Sequence, residues 1–72
     1  MRETVIAFKT PRAVRAFARR LSEKFGGYRS PAKIASDVRA QLAENGHAIF
    51  IGEDAELAAE AAFETVGAIV LG

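Results

Sequence analysis

Val5-Ile6-Ala7-Phe8-Lys9-Thr10-Pro11 carries three structural signals in seven residues. The unbroken apolar run Val5–Phe8 reads as a short strand buried on both faces. Thr10 offers a hydroxyl to cap a helix. Pro11 suits the first helical position, where its missing N–H costs nothing. Val14, Phe17, Ala18, Leu21 and Phe25 then recur at helical spacing, so one stripe of helix 1 belongs to a core. Gly26-Gly27 ends that helix.

The same grammar repeats downstream. Ser30-Pro31 is a second cap and proline, Ile34, Val38 and Leu42 form the buried stripe, and Asn45-Gly46 is the stop. Ala48-Ile49-Phe50-Ile51 reads as a second buried strand, closed by Gly52. Asp54 is placed to cap a third helix running to about Thr65, with Leu57, Ala58, Ala61 and Ala62 facing inward. After Gly67, Ala68-Ile69-Val70-Leu71 reads as a third strand, or else helix 3 runs on into an apolar tail.

The expected fold is therefore a small α/β (or α+β) protein of order β-α-α-β-α-β, a three-stranded sheet packed by three helices. It forms a single domain over residues 1–72. Strands joined through helices are expected to pair in parallel with right-handed crossovers. All three strands are apolar at nearly every position, so both sheet faces want cover. Strand order 2-1-3 would put helices on both faces and satisfy a monomer. Order 1-2-3 would leave one sheet face bare and demand a dimer. The sequence leaves both open.

The bulk numbers agree with one domain. At 72 residues the chain buries roughly 60% of its unfolded surface, and a stability of a few kcal/mol is expected. Half the residues are hydrophobic and 26% are charged, the mix of an ordered domain. With no cysteine, a disulfide framework and a thiolate zinc site are excluded. Met1-Arg2-Glu3-Thr4 leads into only four apolar residues, so no secretory signal is visible. No apolar run approaches the ~20 residues of a membrane span, and a cytoplasmic location is expected.

Charge is unevenly spread. All ten Lys and Arg lie in the first 39 residues; residues 1–40 hold only Glu3, Glu23 and Asp37 against them, a net of +7. Residues 41–72 hold Glu44, Glu53, Asp54, Glu56, Glu60 and Glu64 with no Lys or Arg, a net of −6. The overall +1 hides this segregation, which steers charged partners.

Enzymatic chemistry is not legible. The one histidine, His47, opens strand 2, while Glu53 and Asp54 lie past its other end, ~20 Å away across a six-residue strand. Neither the phosphate-loop nor the dinucleotide-binding glycine pattern is present. Gly26-Gly27-Tyr28-Arg29 has its second glycine misplaced for the loop of a KH domain and reads as a helix terminator. No catalytic residue, metal ligand or cofactor is expected.

Three surfaces are candidates for binding. Arg12, Arg15 and Arg19 recur at i, i+3 and i+7 on helix 1, with Lys9, Arg20, Lys24 and Arg29 close by, a basic face suited to phosphates or an acidic protein surface. Glu53, Glu56, Glu60 and Glu64 recur at i, i+3, i+7 and i+11 on helix 3, with Phe63 beside them as an anchor or as cover for the chain's end. Tyr28 in its glycine loop either stacks on a partner or covers core. Were the sheet parallel, Lys9-Thr10 and Gly52-Glu53-Asp54 would meet beyond the strand ends as a small anion site.

These features favour a non-enzymatic protein-interaction module. Its size and lack of motif fit an inhibitor of the phage or mobile-element kind, anti-CRISPR-like, whose partner is a macromolecular complex that handles nucleic acid; this is an argument from class, not from a signature. The alternative is direct nucleic-acid binding through Lys9, Arg12, Arg15, Arg19, Arg20 and Arg29, with Lys33, Ser36, Arg39 and Gln41 as the few base readers on helix 2. A homodimer is a further expectation, since it would bury more of so small a chain.

Overall fold

The computed structural model describes residues 2–72. The elements follow the expected order: β1 (Glu3–Phe8), α1 (Pro11–Lys24), α2 (Pro31–Asn45), β2 (Ala48–Ile51), α3 (Glu53–Phe63) and β3 (Ala68–Val70). Thr10 and Ser30 cap α1 and α2 as read: their hydroxyls accept from Ala13 N at 3.1 Å and Lys33 N at 3.2 Å. Gly46 closes α2 in the left-handed conformation, φ +79°, which a residue with Cβ adopts only at a cost. The start of α3 differs from expectation. Its N-cap is Gly52 with no side-chain cap, and Asp54 instead turns to Arg29.

The sheet has order β2-β1-β3, and both outer strands run antiparallel to β1. This corrects the parallel expectation. Two helices, not one, separate β1 from β2. The chain reverses at each, so β2 returns antiparallel. One helix separates β2 from β3, so these run parallel to each other with β1 between them. Lys9-Thr10 and Gly52-Glu53-Asp54 consequently follow strands of opposite direction and lie at opposite ends of the sheet, which removes the anion site expected between them.

Register decides what each sheet face meets. Ile6 stands opposite Ala48 and Val70, Thr4 opposite Phe50, and Phe8 opposite Ala68. These side chains share one face, and the core lies there. Ile6 and Ala48 are fully buried with Val14, Phe17, Leu21, Ile34, Val38, Ala58, Ala61 and Ala62. The Phe17 ring packs on Phe8 and Phe50 at centroid distances of 5.2 and 5.7 Å, joining α1 to the sheet. Thr4 Oγ1 donates to the Ala55 carbonyl at 2.8 Å, joining α3 to it. All three helices therefore serve this face, α2 by packing along α1 and beside β2. There Gln41 Oε1 accepts from Ile49 N at 2.8 Å and occupies an otherwise open strand edge.

Strand order 2-1-3 thus does not bring helices to both faces as expected. That link held only for parallel crossovers. The other face carries Val5, Ala7, Ile49, Ile51 and Ile69 with no helix over it.

Candidate interaction surface

The charged helix faces do not stay apart in space. Lys24 Nζ reaches Glu64 at 3.1 Å and Glu60 at 4.0 Å, and Arg20 reaches Glu64 at 3.6 Å. Arg2 pairs with Glu56. Arg29 pairs with Asp54 at 2.9 Å while its guanidinium lies 4.5 Å from the Phe25 ring centroid. Lys33 holds Asp37 at 3.0 Å along α2. Each exposed pair is worth under about 1 kcal/mol, but together they neutralise the acidic stripe of α3 locally. Of its four carboxylates only Glu53 has no cation within 4.0 Å among the described residues.

Five cations make no ion pair among the described residues: Lys9, Arg12, Arg15, Arg19 and Arg39. Arg15 and Arg19 border a shallow groove of about 310 Å³ between α1 and α2, faced by Arg39 and floored by Pro31, Ala32 and Ala35. Arg39 also borders the next groove, about 350 Å³, whose walls are Phe8, Pro11, Val14 and Leu42 and whose far rim is Lys9. Lys9 in turn borders a hollow shared with Arg12, Val66 and the start and end of α1 and α3. The free cations are thus strung along one continuous surface, with an apolar groove in its middle.

Of the basic residues expected at a site, Lys9, Arg12, Arg15 and Arg19 belong to this surface. Arg29 does not, being turned to Asp54, and Arg20 borders the hollow of Arg12 and Lys9 but is turned there to Glu64. Arg12 is partly separated from Arg15 and Arg19, lining the α3 side of α1 while they line the α2 side. Arg39, read from sequence only as a base reader, is the residue that connects the two grooves. The signal for it lay in Ala35, four residues before it, and Ala18, both buried, which let α1 and α2 approach closely enough to set Arg39 beside Arg15 and Arg19.

The expected acidic face is placed as a stripe, but Glu56, Glu60 and Glu64 are engaged within the molecule. Phe63 is 82% exposed and covers nothing. Tyr28 is exposed too, its ring 5.5 Å from Phe25, so it lies on the core's margin and not over it. Among the described residues, no group of three His, Asp or Glu side chains converges to hold a metal, and no helix is long and apolar enough to cross a membrane. No protein-family model, curated protein or solved structure matches the chain.

Proposed function

We propose that the protein is a non-enzymatic interaction module that docks on an acidic protein surface through Lys9, Arg12, Arg15, Arg19 and Arg39. The observation carrying this reading is the division of the ten cations among the described residues: five are spent on carboxylates of the same chain, and five are free, Lys9, Arg15, Arg19 and Arg39 along the two grooves beside α1 and α2 and Arg12 on the α3 side of α1. The groove of Phe8, Pro11, Val14 and Leu42 between Lys9 and Arg39 favours a protein partner, because an apolar floor rimmed by cations fits a ridge of mixed acidic and apolar side chains. That no catalytic constellation forms among the described residues fits an inhibitor, anti-CRISPR-like, that occupies its target instead of modifying it.

Direct nucleic-acid binding is the second reading. It is favoured by the same internal ion pairs, since a neutralised α3 no longer repels a phosphate backbone. The experiment uses wild-type protein and the triple reversal Arg15→Glu, Arg19→Glu, Arg39→Glu. Fluorescence anisotropy with labelled duplex and single-stranded DNA, at low and physiological salt, is run beside capture of host proteins from lysate. The expected result is no DNA binding at physiological salt and a captured acidic protein that the triple reversal releases and Glu60→Lys does not. Micromolar DNA binding that falls steeply with salt would install the second reading. Capture indifferent to the triple reversal, with no DNA binding, would overturn both.

A further inference from the structure

The chain distributes its apolar residues unusually. Of the fifteen buried hydrophobics among the described residues, eight are alanines: Ala13, Ala18, Ala35, Ala48, Ala55, Ala58, Ala61 and Ala62. Meanwhile Ile51 and Ile69 are 55% and 40% exposed, and Leu71 is exposed as well. These three are not scattered. Register sets Val5 opposite Ile49, Ala7 opposite Ile69 and Glu3 opposite Ile51, all on the sheet face that no helix covers. Leu71 N donates to Val5 O at 2.7 Å, extending the same side past β3. Six apolar side chains thus share one face of the sheet, and contiguous apolar patches mark interfaces.

We propose that this face joins two copies of the chain, sheet against sheet, in a reversible two-fold dimer. Charge points to a second copy as occupant. Among the described residues the patch holds no Lys or Arg, so a polyanion gains nothing there, and its one formal charge, Glu3, stands at the end of the central strand opposite Ile51. A self-complementary contact that leaves this end of the sheet open to solvent buries no unpaired charge. The free cations lie on the helical side. The helices all pack on the opposite side of the sheet from the patch. Two copies meeting through their sheets stand about 10 Å apart sheet to sheet, with their helical sides turned outward beyond a Debye length of about 8 Å, so like charge does not oppose association.

Area sets the strength of the contact. The contact is limited to the open face of three short strands, roughly 15 × 20 Å at the usual strand spacing and rise, so two copies bury less than about 1,200 Å², and weak, reversible association is expected and not a permanent dimer. Aligned packing of two such sheets would interleave Val5, Ile49, Ile51, Ile69 and Leu71 with their copies at the usual spacing of about 10 Å.

The test is sedimentation velocity of the full chain from about 1 to about 500 µM, a range bracketing micromolar affinity. Wild type is expected to move from 7.7 kDa to twice that mass. Ile69→Glu and Ile51→Lys should each raise the dissociation constant at least tenfold with an unchanged circular dichroism spectrum, while Phe63→Glu, on α3, should not. Should Ile69→Glu fail to fold, Ile51→Lys on the outer strand stands alone. Isotope-filtered NOEs between labelled and unlabelled copies would further place the Val5, Ile49, Ile51, Ile69 and Leu71 methyls at the contact. A chain monomeric at 500 µM, open-ended aggregates, or variants that associate like wild type would each overturn the proposal. The triple arginine reversal leaves this dimer intact, so its failure and that of the basic surface are separable.

Discussion

Gly67 is where backbone and packing constraints coincide, and Gly67→Ala tests both. The residue sits between α3 and β3 at φ +90°, and its carbonyl accepts from Lys9 N at 2.8 Å. A side chain at that φ costs about 1–2 kcal/mol by itself. A Cβ built there would also lie 3.0 Å from the Ala13 Cβ. Ala13 is buried in the first turn of α1, whose cap at Thr10 fixes it, so relief requires moving α1 off the strand. Overpacking of this kind adds about 1 kcal/mol or more. The expected loss is about 2–3 kcal/mol, a large share of the few available to so small a chain. Gly26→Ala is the control: φ is +71°, but nothing stands within 4 Å of its Cβ, so only the backbone cost of about 1–2 kcal/mol applies. Chemical denaturation monitored by circular dichroism should place Gly67→Ala about 1 kcal/mol below Gly26→Ala, and in thermal melts about 4–8 °C below it. Equal losses would refute the close packing of α1 against the α3–β3 turn.

Other substitutions test separate joints. Thr4→Val removes the bond to Ala55 O and should cost about 1 kcal/mol by the same assay, with the fold retained. Gln41→Leu leaves Ile49 N unpaired on an outer strand edge; about 1–2 kcal/mol should be lost, and hydrogen exchange at the Ile49 amide should quicken. Phe63→Ala should change stability by less than about 0.5 kcal/mol, because the side chain is 82% exposed.

Signals that act within a few residues were legible in the sequence. The Thr10-Pro11 and Ser30-Pro31 starts stand where they were read, and β2 spans Ala48–Ile51 as expected. A cap needs only a hydroxyl and an amide three residues on. Strand direction needs more. It depends on how many times the chain reverses, and reading α1 and α2 as one crossover inverted it. Asp54 shows the same limit: its carboxylate suits a cap, but Arg29, twenty-five residues earlier, claims it. Of the site, the cations on α1 were visible as a stripe, yet which of them are free follows from the positions of α2 and α3. Arg20 and Arg19 are neighbours in sequence and have opposite fates.

That divergence has a simple cause. Successive helical residues point 100° apart, so Arg19 and Arg20 must face different neighbours once α1 is flanked on both sides. On one flank lies α3, whose Glu60 and Glu64 collect Lys24 and Arg20. On the other lies α2, which offers Arg39 and the small residues Ala32 and Ala35 but no carboxylate within 4.0 Å of Arg15 or Arg19. The acid-rich half of the sequence therefore cancels only the half of α1 that it touches. A chain whose charges simply alternated along the sequence would have cancelled on both flanks. Segregating them along the chain is what leaves, after folding, a surface of one sign beside an apolar groove, and a second apolar face on the far side of the sheet from it.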